Sequence, residues 1–179
     1  MSWSSRFLPV PTHLLLFDQP TGQTDKATPP QLQQYARNIR IIYEQIHAGM
    51  TRADFDQMMQ APLNAQEASV AGTYRHLFTS APGAQRFEAE LLEGRGLVIT
   101  RGAHRIEAAR SEGVAYVPVH IRTRTEDQAD RITASLLQGV DPTIARYHQD
   151  QLPDRSRALV RDIGPDPERS IERQRERER

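Results

Sequence analysis

The chain contains no cysteine among its 179 residues. Disulfide bonds, cysteine-ligated zinc and thiol nucleophiles are therefore excluded. Lysine is nearly absent too, because Lys26 is the single lysine among 23 basic residues and the others are arginines. Arginine is the better residue for bidentate contacts to phosphate, although a coding bias toward arginine would give the same composition. The composition thus permits an anion-binding site without locating one.

Long apolar runs are also missing. The longest, Leu14-Leu15-Leu16-Phe17, is far short of the roughly 20 apolar residues that cross a bilayer. No basic region followed by an apolar stretch stands at the start of the chain, so no signal peptide is evident. We therefore expect a cytoplasmic protein with no membrane contact. The mean hydropathy of −0.65 implies a core concentrated in a few segments.

Helical periodicity dominates the first half of the chain. Thr28 as N-cap and Pro29 at the first helical position begin a helix whose apolar residues recur every three or four positions and which ends at Gly49. Three shorter helices are predicted over 51–61, 64–78 and 84–92, each ended by a proline or glycine. Residues 28–92 therefore read as a helical insertion.

Strand patterns flank this insertion. Residues 8–17 form one predicted buried strand, and 97–100 and 116–121 form two more around a helix over 104–111. Further helices are predicted from Thr125 to Gly139 and from Asp141 to Tyr147. We therefore expect an α/β (α+β) fold with a small mixed sheet, in a single domain over 1–163. The Arg- and Glu-rich residues 164–179 predict a disordered charged tail.

The segment with the clearest chemistry lies between the last two predicted strands. A strand that turns through a glycine directly into a helix exposes backbone N–H groups at the positive end of the helix dipole. Charged side chains beside that turn would add contacts to an anion. The predicted phosphate-binding residues are Arg101, Gly102, Ala103, His104 and Arg105.

This segment resembles the signature of the ParB/sulfiredoxin superfamily. Partition proteins carry Gly-Glu-Arg-Arg here, free-serine kinases Asp-Gly-His-His-Arg and sulfiredoxins Gly-Cys-His-Arg. The matching positions are Gly102, His104, Arg105 and Ala108, followed by Val117-Pro118-Val119 on the next strand. Ala103 replaces the sulfiredoxin cysteine, which excludes sulfinic-acid reduction, and Arg101 replaces the acid of the kinases.

The resemblance implies a sheet of the ParB/sulfiredoxin type and a nucleotide ligand, ATP or CTP with Mg²⁺. In length the chain is similar to the stand-alone members of mobile elements, the Osa group of fertility-inhibition proteins. That similarity implies nucleotide hydrolysis or DNA cleavage in DNA maintenance or conjugative transfer, with DNA and a conjugation or partition protein as partners. The catalytic candidates are His104, Arg105 and Glu107. The alternative is a non-catalytic interaction module that blocks a partner protein.

Histidines, acids and tyrosines are further candidates for a role in binding or catalysis. The six histidines form neither an i, i+4 pair nor a His-Glu-x-x-His motif, so the sequence predicts no protein-held metal site. His120 alternates with Val117 and Val119 along its strand and is expected to face the same opening as His104. Several acids could activate water, but the sequence does not say which of them converge: Glu88, Glu90, Glu93, Glu107, Glu112, Glu126 and Asp127. Tyr35, Tyr43 and Tyr74 are expected to pack cores.

Overall fold

A computed structural model describes residues 3–18, 29–154 and 157. Within these ranges, the chain forms five strands and six α-helices, so the predicted mixed α/β class is confirmed. The elements are β1 (Ser4–Pro11), β2 (Leu15–Leu16), α1 (Pro30–His47), α2 (Arg52–Gln60), α3 (Ala65–Phe78), β3 (Phe87–Leu92), β4 (Gly96–Arg101), α4 (Ala103–Ser111), β5 (Tyr116–Thr123), α5 (Glu126–Gln138) and α6 (Pro142–Gln149).

The strands form one mixed sheet in the order β1-β5-β3-β4-β2. β1 pairs antiparallel with β5, β5 parallel with β3, β3 antiparallel with β4, and β4 parallel with β2. β3 therefore lies at the centre, and its first residues lie beside the last residues of β4. The turn from β4 into α4 is thus placed at the end of the sheet where β3 begins.

The fourth predicted helix, over 84–92, is wrong. Its last six residues form the central strand β3, in which Phe87 and Ala89 are fully buried and alternate with the less buried Glu88 and Glu90. Alanine, leucine and glutamate favour helices in isolation. Pairing with strands on both sides outweighs that preference, because it satisfies the backbone and buries the alternate residues together. The predicted helical insertion therefore ends at Phe78, the last residue of α3.

The other helices begin and end close to the predicted residues, because their caps are local. Thr51 and Asp54 form a reciprocal capping box at α2, and Asn64, Thr125 and Asp141 accept first-turn N–H groups of α3, α5 and α6. Pro29 occupies the N-cap position of α1. The predicted N-cap Thr28 and the predicted tail over 164–179 lie outside the described residues.

The first predicted strand, over 8–17, is divided in two. A 3-10 turn at Thr12–Leu14 separates β1 from β2, so the two strands occupy opposite edges of the sheet. Arg110 of α4 fastens this turn, since its guanidinium donates to the carbonyl oxygens of Thr12 and Leu15 at 2.6 Å each and lies over the ring of Phe17. Arg110 therefore acts in packing rather than at the anion site.

Aromatic side chains pack helices α2, α3 and α6 together. The ring of Tyr74 stacks on those of Phe55 and Phe78, with centroids 4.4 and 5.2 Å apart. Its hydroxyl shares a 2.6 Å hydrogen bond with that of Tyr147 on α6. Tyr43 and Tyr74 are buried, as expected of core tyrosines. In the described part of the chain, no helix is both long and apolar enough to span a membrane.

Candidate functional site

The turn from β4 into α4 depends on Gly102. This residue is the N-cap of α4 and has φ of +92°, in the left-handed region that glycine enters without a steric penalty. A Cβ placed on it would lie 2.4 Å from Cδ1 of Phe87, so the backbone and the Phe87 ring are in direct contact. Gly102 is therefore required both by its conformation and by the closeness of β3.

The first turn of α4 presents backbone donors at this point. The first hydrogen bond within the helix runs from the N–H of Ile106 to the carbonyl of Gly102. The N–H groups of Ala103, His104 and Arg105 precede it and point along the helix axis toward the end of the sheet. This is the arrangement in which helix starts bind anions.

Arg105 is held between two aromatic rings. Its Cζ atom lies 5.2 Å from the ring centroid of Tyr35 on α1 and 4.8 Å from that of Phe87 on β3. Its Nη1 donates a 2.9 Å hydrogen bond to the Tyr35 hydroxyl. The side chain is half-buried, so the guanidinium is fixed inside the site rather than extended into solvent.

Two other predicted residues, Arg101 and His104, are exposed beside the turn, whereas Ala103 and Glu107 are partly buried. The structure thus brings the five predicted phosphate-binding residues together on one turn. Glu107 lies one helical turn beyond Ala103, on the same side of α4.

β3 brings Glu88, one of the candidate acids that the sequence placed on a predicted helix, to the site. Glu88 is the cross-strand partner of both Arg101 on β4 and His120 on β5. Thr100 lies at a register shift just before the turn, and such bulges change the direction of the side chains that follow them. The alternation of Phe87-Glu88-Ala89-Glu90 was the signal for a strand here, and strong helix formers concealed it.

Helix α1 runs alongside α4 in the same direction. Near their starts Arg105 contacts Tyr35, and further along the guanidinium of Arg40 donates to the carbonyl of Glu112. The N-termini of both helices therefore lie at the same end of the molecule. The dipole of α4 adds a positive potential where Arg101, His104 and Arg105 are already placed.

His120 is not brought to His104 by any contact among the described residues. Its ring instead packs 4.7 Å from that of Phe7, which also lies 4.9 Å from the ring of the fully buried His148. Burial lowers the pKa of His120 to about 4, and Arg86 acts in the same direction. The expectation of a shared opening for His104 and His120 therefore stays a prediction.

Among residues 3–18, 29–154 and 157, no three His, Asp or Glu side chains are close enough together to hold a metal ion. The described residues thus offer no preformed magnesium site.

Comparisons with known proteins show a distant likeness in structure. No family model matches the chain, and no curated protein matches it. A similarity in structure links it to the C-terminally truncated chromosome-partitioning protein ParB from Caulobacter crescentus, complexed with CTP-gamma-S. The two chains are 14% identical, the match covers 91% of this chain and 72% of that one, and the TM-score is 0.29.

Proposed function

We propose that this chain is a ParB-like protein that binds the phosphates of a nucleotide, ATP or CTP, at the turn from Arg101 to Arg105. The observation that carries the proposal is the left-handed Gly102 at the start of α4. It brings backbone N–H donors and charged side chains to one point at the end of the sheet. A phosphate there would be bound by N–H groups, by the dipole of α4 and by arginine.

The two arginines would contribute differently. Arg101 is exposed and would act as a charge beside the ligand, whereas Arg105 is already oriented by aromatic rings. The hydrogen bond to Tyr35 uses one of the five N–H donors of the Arg105 guanidinium. Other donors of the same group are the ones we assign to phosphate oxygens.

Calorimetric titration with ATP, CTP and inorganic phosphate tests this assignment. Arg105→Ala should weaken binding of the preferred ligand by about 1.5–3 kcal/mol, the range for a charged hydrogen bond. Arg101→Ala, which removes no packed side chain, should weaken it by a smaller amount. Arg131→Ala is the matched control, because Arg131 is an exposed arginine on α5 that forms an ion pair with Asp127. Equal affinities in all three variants would remove the phosphate site.

Catalysis is the second part of the proposal. His104 is exposed on the first turn of α4, where an imidazole can donate to a phosphate oxygen or transfer a proton. Arg105 and Glu107 are the other proposed catalytic residues. The reaction would be nucleotide hydrolysis or cleavage of DNA, in the maintenance or conjugative transfer of a mobile element. A conjugation or partition protein would then be a partner.

His104→Ala should lower the rate of nucleotide hydrolysis or plasmid nicking by roughly 10²-fold, the low end for loss of a general acid or base, with little change in affinity. The assay is run with magnesium and without metal. Binding measured on the same preparation controls for misfolding. If the native protein turns over no faster than the variant under either condition, the enzymatic function is rejected.

A second candidate function is a non-catalytic module that blocks a partner protein. It is favoured by Leu63, 85% exposed on the turn between α2 and α3, at the rim of a cleft of about 320 Å³. Met50 and Met58 line this cleft together with the acidic Asp54 and Glu67. Methionine-lined surfaces adapt to varied partners. Nucleotide binding without turnover would favour this function over hydrolysis. The absence of both binding and turnover would favour it too.

A further inference from the structure

Tyr35 on helix α1 contacts Arg105 from outside the sheet. Its hydroxyl accepts the Nη1 hydrogen bond at 2.9 Å, and its ring lies on the guanidinium. The ring of Phe87 lies 4.8 Å from the same Cζ atom. The guanidinium is therefore limited in position by two rings and in rotation by one hydrogen bond.

We propose that Tyr35 is a positioning residue of the phosphate site, which holds the Arg105 guanidinium ready for a nucleotide phosphate. This inference rests on the proposed function, and it assigns to the hydroxyl of Tyr35 a part of the binding affinity although that hydroxyl touches no phosphate.

The physical reason is the flexibility of arginine. A free arginine loses much rotamer entropy when it is fixed against a ligand, and preorganisation moves that cost from binding to folding. Here folding has already fixed the side chain, since α1 packs beside α4 and delivers Tyr35 to its first turn. Burial of Tyr35 raises the pKa of its hydroxyl, although Arg105 opposes the shift, so the group stays a neutral acceptor at neutral pH.

The hydrogen bond to Tyr35 leaves most N–H donors of the Arg105 guanidinium available to a ligand. The donor that Tyr35 occupies is only one of five, and a guanidinium can bind a phosphate through two others in parallel. The hydrogen bond to Tyr35 therefore orients the guanidinium without using up its capacity for a bidentate contact.

A double-mutant cycle tests the inference with CTP and ATP as probes. Tyr35→Phe keeps the ring and removes only the hydroxyl, and it should weaken binding of the preferred nucleotide by roughly 3–10-fold, the worth of one hydrogen bond. The unfolding midpoint should change little. In an Arg105→Ala background the same substitution should change the affinity less than about 2-fold, because the side chain that it positions is gone. Arg105→Lys replaces Arg105→Ala if the alanine variant does not fold.

Tyr116→Phe is the matched control, since Tyr116 is a half-buried tyrosine whose ring packs against Tyr43 rather than Arg105. It should leave the affinity unchanged. Equal weakening by Tyr35→Phe in both backgrounds, or no weakening in the native background, would overturn the positioning role while leaving the phosphate site in place. Native protein that binds neither nucleotide nor phosphate would overturn both.

A measurement without ligand separates the two outcomes further. The Nη1–H signal of Arg105 in NMR spectra, the group that donates to Tyr35, should exchange with water slowly in the native protein and markedly faster in Tyr35→Phe. Equal exchange rates would show that the hydroxyl does not hold the guanidinium, and would overturn the positioning role whatever the nucleotide affinity.

Discussion

Gly102→Ala is expected to lower the free energy of unfolding by about 2–5 kcal/mol and to abolish nucleotide binding. The left-handed conformation costs a residue with a Cβ about 1–2 kcal/mol. The new methyl would also lie 2.4 Å from Phe87, and relief of such overpacking typically costs a further ~1–3 kcal/mol. Because the site is built on this turn, any movement of α4 away from β3 also moves the first-turn N–H groups.

Gly83→Ala provides the control for backbone strain alone. Gly83 also has positive φ, +79°, but a Cβ there would meet nothing within 4 Å. Its cost should therefore be limited to about 1–2 kcal/mol, with nucleotide binding retained. Urea denaturation of both variants, with titration of CTP and ATP, gives the comparison. If Gly102→Ala is no more destabilising than Gly83→Ala, the close packing of the turn on Phe87 is wrong.

Acidification is expected to destabilise the protein through two histidines around Phe7. Burial lowers the pKa of the fully buried His148 to about 3, with His120 acting in the same direction and the Phe7 backbone opposing it. The pKa of His120 is lowered to about 4. Both therefore stay neutral in the folded chain where an unfolded histidine, with a pKa near 6.5, is protonated. The unfolded state binds more protons, so stability falls as pH falls from about 6.5 toward 4.

The expected loss is on the order of 2–3 kcal/mol for each histidine between pH 7 and 4. Above pH 7 both histidines are neutral in the folded and the unfolded state, so they give stability no further dependence on pH. Urea unfolding at a series of pH values measures the slope. His148→Gln keeps a polar group near the Tyr43 hydroxyl, which lies 3.1 Å from His148 Nε2, and should make the slope shallower. His13→Gln, at an exposed position in the 3-10 turn, is the control for removal of an imidazole. A native slope that His148→Gln leaves unchanged would contradict this account.

Much of the fold could be predicted because its signals are local. Thr51, Asn64, Thr125 and Asp141 mark helix starts by hydrogen bonds that span two or three residues, and no distant contact is needed to read them. The strand-glycine-helix turn at Gly102 is equally local. The predicted phosphate-binding residues therefore lie close together in the fold because they are consecutive in the chain.

The sequence by itself thus determined the helices, the mixed α/β class and the turn that presents backbone N–H groups. The tertiary structure alone decided that residues 87–92 form the central strand, because pairing on two sides outweighs helix propensity. It also decided that Arg105 is held by Tyr35, 70 residues earlier, and by Phe87. Contacts at that separation depend on how α1 and β3 pack around α4, and no periodicity within a single segment encodes them.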